Sequence, residues 1–486
     1  MQGEIKELQG HCLFDQRFLK AWHIERPVFK KHHFEKTLHE LVQFPERTSS
    51  AILRAEILAT ETSSDENIPG YTLTHRMHRR ILPRRPALDT DMLQDCFFFN
   101  SEDSGAMLVV FRPLDLTSIP FYHPKVAALA FHYDELACSI AYEPLSNSFA
   151  DDRLNRTLRM LLQIIVKHAT GHANDYQKRV HHDLIVPRDA FQDANQRLKR
   201  TYAARYYQGW IEKTDPGKHV FEDLCITAFL LELWKCQPFA KKHPIRFVDV
   251  GCGNGLLVDL LVQEGKLGYG FDLRARKSWS SGLYSPQGQA QLKEMILQPQ
   301  CFMSEVIRSS HIHDGIFRSD EFLIGNHADE LTPWIPVLSA LSTVPEGDLP
   351  IRDGEEVALM DVPGFLIIPC CMHIFSGAKH SGSVTKGKAE GGGRYAAYVA
   401  FLQQVCTALG FVTLQEALRI PSTRNKALVA MQRWLVEDIG VPIAERAHGR
   451  HARLLALCKT IIVKHGGADE FLNHTIKLAQ STKVGH

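Results

Sequence analysis

Apolar residues recur with two different spacings along the chain. Over residues 154–165, leucine and isoleucine recur three or four positions apart, which predicts an amphipathic helix. Residues 188–234 form a second helical block that ends in a strongly apolar helix. Four short apolar runs then alternate with helical stretches: 247–250, 268–271, 322–324 and 365–368. This alternation is typical of a parallel sheet built from βαβ units, so the pattern predicts an α/β fold.

The N-terminal part follows a different pattern. Residues 51–59 predict a short helix, whereas 97–99 and 107–111 predict strands joined by a turn over 100–105. Arginine is dense over 74–86. The pattern of the N-terminal part therefore predicts a mixed α+β domain.

With 486 residues and a mass of 55.0 kDa, the chain has room for more than one domain. We expect an N-terminal domain over 1–204, an α/β domain over 205–435 and a basic, helical C-terminal tail over 436–486. The chain is 44% hydrophobic and 23% charged, as in packed soluble proteins. The absence of a run of about 18 apolar residues argues against a membrane span.

The charge balance and the cysteine content narrow the class of protein and its cellular compartment. The 56 Lys and Arg residues balance 55 Asp and Glu residues, which excludes a wholly basic nucleic-acid binder but leaves local basic patches possible. Eleven cysteines, without C-x-x-C pairs, favour a reduced compartment, and we expect a cytoplasmic protein. The first residues, MQGEIKELQGH, lack the apolar core of a signal peptide. Oligomeric state stays open.

The sharpest local pattern is FVDVGCGNGLL at 247–257. An apolar strand ends in Asp249 and turns through Gly251, Gly253 and Gly255 into a leucine-rich helix. Glycine lets a backbone turn tightly and approach a ligand, and the helix start offers free N–H groups. Asp249 would sit poorly beside a pyrophosphate but well beside an ammonium group. S-adenosylmethionine carries such a group.

The second strand ends in Asp272, where doubly wound folds place an acid against a ribose diol. Together these features favour S-adenosylmethionine as cofactor. A dinucleotide loop, which usually has the spacing G-x-G-x-x-G, and a purely structural turn are the alternatives.

Several segments together resemble one family. VDVGCGNGLLVDLL, GYGFDLRARKSW, GNHADELTPWIP, IIPCCMH and ALRIPSTRNKA are similar to motifs of the eukaryotic tRNA (uracil-2′-O-)-methyltransferases. The resemblance spans residues 176–433. It implies a class I Rossmann-like methyltransferase core preceded by a family-specific domain. It also implies methylation of the ribose 2′-hydroxyl of uridine 44 in serine tRNA. Asp249 and the three glycines would hold the methionine end of the cofactor, and Asp272 would hold its ribose.

Other functions remain open at this point. A class I methyltransferase could act on a protein or a small molecule, although residues 326–329 (NHAD) do not favour amino-group acceptors. The chain could also be an inactive methyltransferase fold that binds RNA. The intact glycines, together with Asp249 and Asp272, argue against such a loss of catalytic activity.

Candidate catalytic residues follow two of the predicted strands. His327 and Asp329 come directly after the strand at 322–324, and His373 follows the next one. Ligands bind at this end of the strands in such folds, so each could accept a proton. Asp329 could instead cap a helix that begins near residue 331. The Lys-Asp-Lys-Glu set known from many 2′-O-methyltransferases cannot be located.

We predict no metal site. Cys370 and Cys371 have no matching ligand pair nearby in sequence, which favours structural cysteines. His311 and His313 likewise have no second ligand cluster.

RNA binding requires concentrated phosphate contacts. The cations that flank the predicted cofactor site are the favoured candidates: Arg274, Arg276, Lys277, Lys379 and Arg394.

Overall fold

The protein is described by a computed structural model over residues 4–12, 14–145, 151–176, 182–236, 245–304, 307–343, 359–380 and 393–481. The chain forms two compact units that divide between residues 178 and 179. We expected the division at 204. It lies earlier because the helix Arg188–Gln208 packs along the helix Pro216–Cys236 and so belongs to the second unit.

The described part of the N-terminal unit contains an antiparallel sheet and two helices. Its strands are β1 (Ile5–Glu7), β2 (Leu19–Glu25), β3 (Ile52–Glu61), β4 (Tyr71–Pro83), β5 (Met92–Ser101), β6 (Met107–Pro113), β7 (Val126–Tyr133) and β8 (Ala137–Pro144). They lie in the order β1-β2-β8-β7-β6-β5-β4-β3. Helices α1 (Lys31–Gln43) and α2 (Asp152–Ala173) pack their apolar residues against one face. The expected mixed α+β domain is therefore confirmed.

One predicted element is wrong. Residues 51–59 were expected to form a helix, but Ile52–Glu61 is the edge strand β3, paired along its length with β4. Ala, Leu and Glu favour helices locally, and pairing with a neighbouring strand overrides that preference. The strands at 97–99 and 107–111 and the helix at 154–165 are confirmed in β5, β6 and α2.

A cavity of about 600 Å³ lies between the sheet and the helices of the N-terminal unit. Arg79 lines it, buried, and donates to the carbonyls of Leu41 and Val42 and to Gln94. Two other arginines of the basic segment also have partners within the unit: Arg80 pairs with Asp91, and Arg84 donates to the Ser50 carbonyl at 2.9 Å. Arginines of this segment therefore stabilise the N-terminal unit itself.

The second unit is an α/β sandwich. Its strands are β9 (Arg246–Val250), β10 (Leu267–Asp272), β11 (Leu292–Glu294), β12 (Ile296–Leu297), β13 (Ile312–His313), β14 (Glu321–Asn326), β15 (Leu359–Ile368), β16 (Phe411–Ala417) and β17 (Lys426–Trp434). Seven of these form one sheet in the order β11-β10-β9-β14-β15-β17-β16. The pairs from β11 to β15 are parallel, whereas β17 runs antiparallel to both of its neighbours.

Helices cover both faces of this sheet. They are α3 (Arg188–Gln208), α4 (Pro216–Cys236), α5 (Leu256–Gln263), α6 (Pro286–Gln289), α7 (Trp334–Ser342), α8 (Arg394–Ala408), α9 (Arg450–Lys464) and α10 (Asp469–Ser481). Alternate residues of β9 enter separate cores, with Phe247 facing α4 and Val248 facing the side of α7. This alternation is expected for a strand buried on both faces.

Helices α9 and α10 follow the sheet in sequence and belong to this unit. Leu454 of α9 and Phe471 of α10 are buried in the same core as α7, and Phe471 lies 5.2 Å from the Trp334 ring. Within the described residues, no helix has both the length and the apolar character needed to cross a membrane.

Candidate cofactor and acceptor site

A glycine loop joins β9 to α5 at the carboxyl edge of the sheet. Gly251, Gly253 and Gly255 have φ of +76°, +53° and +82°, a region that residues with a Cβ rarely adopt. The loop is fixed to β10, because the amides of Gly251 and Cys252 donate to the Phe271 carbonyl at 2.9 and 3.0 Å. A Cβ on Gly253 would meet no described heavy atom within 4 Å. At Gly253 the loop therefore presents an open surface without a Cβ.

Asp249 stands at the base of this loop and is 1% exposed. Burial, and then the charges of Asp223 and Asp272, raise its pKa well above the ordinary value. Its Oδ1 is buried and has no hydrogen-bond partner among the described residues, and the same holds for Oδ1 of Asn326 at the end of β14. β14 and β9 are adjacent, with Ile324 opposite Asp249. This edge thus offers acceptors suited to an ammonium group.

Asp272 ends β10 beside the loop. Its Oδ2 accepts from the Gly253 amide at 2.9 Å and its Oδ1 from the Arg274 amide at 3.3 Å. Arg276 lies 3.5 Å from the same carboxylate. The acid is therefore held at the mouth of the loop, where a ribose diol would meet it.

The segment after Asp272 supports the loop from behind. Trp279 Nε1 donates to the Gly253 carbonyl at 3.1 Å, and Ser278 Oγ donates to the Asn254 carbonyl at 2.8 Å. Tyr284 donates to the same Asn254 carbonyl at 2.8 Å. These contacts give the R-K-S-W segment a structural explanation: it positions the loop.

His327 follows β14 with φ +54°, and its Nε2 lies 3.0 Å from Oε1 of the buried Glu222. Its Nδ1 is buried without a partner in the described structure. Next to this pair, Asn326 Nδ2 donates to Asp223 at 3.2 Å. Both contacts tie the end of β14 to α4, which leaves His327 little access to a substrate in this conformation.

Asp329 is the exposed member of the predicted set, with φ +44°. It does not cap a helix, because α7 begins at Trp334 without a side-chain cap. Instead its Oδ1 accepts from Cys370 Sγ at 3.2 Å, and burial together with this carboxylate raises the pKa of Cys370 to about 12. Cys371 also lies beside Asp329. The structure thus joins residues from two strand ends.

His373 is occupied on both ring nitrogens. Nδ1 lies 2.6 Å from the Gly377 carbonyl and Nε2 lies 2.7 Å from Lys379 Nζ. The Tyr398 hydroxyl also donates to the His373 backbone carbonyl at 2.7 Å. This histidine therefore anchors the segment that leads away from β15.

The predicted RNA contacts fall into two groups. Three are exposed: Arg274 and Lys277, which follow Asp272 in the chain, and Arg394, at the start of α8. Arg276 is paired with Asp272 and Lys379 with His373. Residues 381–392, which complete the glycine- and lysine-rich stretch, lie outside the described residues.

The sequence analysis missed Glu222 and Asp223. Both are buried on α4, and burial raises the pKa of Asp223 to about 8. Two adjacent acids inside the apolar segment VFEDLCITAFLLELW were the available signal, because acids are rarely buried without a role.

Comparison with known proteins agrees with both units. Residues 13–179 match the family described as "TRM44-like, N-terminal bet v1-like domain", and residues 185–299 match "Predicted AdoMet-dependent methyltransferase". The chain is 38% identical to the tRNA (uracil-O(2)-)-methyltransferase of Schizosaccharomyces pombe, and the alignment covers 93% of this chain and 91% of that protein. The proteins of the same name from Neurospora crassa and Saccharomyces cerevisiae are 36% and 28% identical, with coverage of 93% and 94% of this chain and 91% and 92% of theirs.

Fold, site and these matches define an S-adenosylmethionine-dependent methyltransferase with a bet v1-like N-terminal domain. The expected enzyme class and cofactor are confirmed. The chain belongs to the tRNA (uracil-O(2)-)-methyltransferase family.

Proposed function

We propose that the protein methylates the 2′-hydroxyl of a uridine in tRNA, at position 44 of serine tRNA, in the cytoplasm. The supporting observation is that one chain combines an unpartnered, buried Asp249 and a left-handed glycine loop with similarity to tRNA methyltransferases over nearly their whole length. We assign its sheet to the class I Rossmann-like methyltransferases, because the strand order reverses at β9 and β17 is antiparallel.

In this proposal the cofactor supplies a methyl group on a sulfonium. Asp249 and Asn326 would bind its ammonium, and Asp272 would bind its ribose. Gly253, which has no side chain, would let the cofactor approach the backbone of the loop. Positioning of acceptor oxygen and methyl group then supplies much of the acceleration.

The acceptor side lies where β14 and β15 end. Asp329 is the candidate that geometry favours for the acceptor hydroxyl, since it is exposed there, whereas His327 and His373 are engaged by Glu222 and Lys379. Arg274, Lys277 and Arg394 are exposed and free to meet phosphates in the proposed complex. Arg276 acts instead as a counter-charge for Asp272.

The test uses the full chain, labelled cofactor and two unmodified serine tRNA transcripts, one with uridine and the other with 2′-deoxyuridine at position 44. We expect label only in the first, and resistance to alkaline cleavage after that nucleotide. Equal labelling of both transcripts would show that the methyl acceptor is not the 2′-hydroxyl at position 44. Cofactor binding without label in either would refute the proposed acceptor and favour a protein, small-molecule or non-catalytic role.

A further inference from the structure

Three potential metal ligands meet at the acceptor edge. The ligand atoms of Asp329, Cys370 and Cys371 all lie within 4.8 Å of one another. Sequence spacing predicted no metal because the cysteines lacked a partner nearby. The fold supplies one from the neighbouring strand end, since β14 and β15 pair in register with Asn326 opposite Ile368.

We propose that Asp329, Cys370 and Cys371 form a binding site for a thiophilic divalent cation, with Zn²⁺ the best fit. Tetrahedral zinc with Zn–S bonds of about 2.3 Å requires sulfur atoms about 3.8 Å apart, so the side chains need to close by at most about 1 Å. Two thiolates and one carboxylate are a ligand set that zinc accepts and that magnesium and calcium do not favour.

Three protein ligands leave a fourth position for an oxygen. The site lies beside the cofactor loop: Ala328, adjacent to Asp329, has its Cβ 3.6 Å from where a Cβ on Gly251 would stand. Cys370 and Cys371 are partly exposed, so the position is accessible to a substrate.

If the proposed function holds, this fourth ligand is the acceptor 2′-hydroxyl, and Asp329 acts on that hydroxyl through the cation rather than by direct contact. A bound cation makes such a hydroxyl release its proton to water more readily, which would explain why the site shows no unoccupied, exposed histidine base among the described residues. The metal site itself does not depend on that function.

The first experiment measures metal alone. Purified full-length protein is stripped with a chelator and titrated with Zn²⁺ and with Co²⁺ under reducing conditions. We expect one ion per chain and a cobalt–thiolate charge-transfer absorption. Cys370→Ser and Cys371→Ser should each weaken zinc binding at least about 10-fold and reduce the cobalt–thiolate band. The matched control Cys236→Ser changes an exposed cysteine at the end of α4 and should behave as wild type.

Several outcomes overturn the site. These are zinc binding that is unchanged in the Cys370→Ser, Cys371→Ser double variant, a cobalt spectrum without thiolate bands, and a Cys370–Cys371 disulfide that persists in reductant. Circular dichroism and cofactor binding of each variant show that it is folded. Asp329→Asn gives a second route, because it leaves both thiols in place and should lower affinity without abolishing the thiolate band.

The second experiment separates the site from the function. Metal-stripped enzyme should bind cofactor normally but transfer methyl to tRNA at least about 10-fold more slowly, with recovery on adding zinc. Zinc binding without any methyl transfer would refute the proposed function and leave the site standing. Full activity in stripped enzyme that has lost its zinc would refute the catalytic role.

Discussion

Replacing Asp249 with asparagine tests the cofactor site most directly. The substitution keeps the size of the side chain but removes the charge at a position that is 1% exposed. A hydrogen bond to a charged group contributes about 1.5–3 kcal/mol, and every 1.4 kcal/mol changes affinity tenfold. Asp249→Asn should therefore weaken cofactor binding by about 10- to 150-fold.

The pH dependence sharpens this prediction. Burial and the neighbouring Asp223 and Asp272 raise the pKa of Asp249, and a bound ammonium favours the charged carboxylate, so cofactor binding should lower this pKa again. Wild-type affinity should rise with pH until that raised pKa is reached, with a proton released on binding. Asp249→Asn should lose that part of the pH dependence.

Titration calorimetry in buffers of different ionisation enthalpy measures both affinity and proton release. Asp320→Asn is the matched control, because Asp320 is a partly exposed acid of the same unit that pairs with Arg318 and Arg246. Equal affinity and equal proton release in wild type and Asp249→Asn would refute the assignment.

Three further predictions concern the same unit. Gly255→Ala should unfold at a lower urea concentration than Gly253→Ala, because the added Cβ would lie 2.7 Å from Leu292. Gly253→Ala should fold but bind the cofactor less well in calorimetry. A Gly253→Ala protein that unfolds at lower urea than Gly255→Ala would contradict the loop geometry. Phe471→Ala should lower the free energy of unfolding by about 3–5 kcal/mol in urea titrations, and a change below about 1 kcal/mol would show that this ring is not core. Burial raises the pKa of the Asp223 carboxyl to about 8 in the folded protein, whereas its ordinary pKa is 3.8. Between these two pH values the unfolded chain has lost the proton that the folded chain keeps. The stability of the wild-type protein should therefore fall as pH rises through this range. Asp223→Asn should flatten that fall in urea titrations at several pH values, and an unchanged slope would exclude Asp223 as its source.

The strand-turn-helix at the cofactor loop could be predicted because its signals are local. A short apolar strand, three glycines that need positive φ and a leucine-rich helix follow one another within eleven residues. Asp272 could be predicted for the same reason.

Residues whose roles depend on distant partners could not be predicted. Asp329 meets Cys370 across 41 positions of sequence, and His327 meets Glu222 across 105. Only the pairing of strands and the packing of α4 bring them together. The strand Ile52–Glu61 was mispredicted for the same physical reason, because its hydrogen bonds go to a neighbour rather than along a helix.

The packing of Phe471 against Trp334 has a genetic consequence. The core behind the acceptor edge is completed by helices α9 and α10, which follow the last strand of the sheet, β17. A stop codon after β17 would leave every residue assigned to cofactor, acceptor or RNA in the chain. The truncated protein would nevertheless lack the helices that pack against α7 in the core. Such late nonsense alleles should behave as complete losses of function.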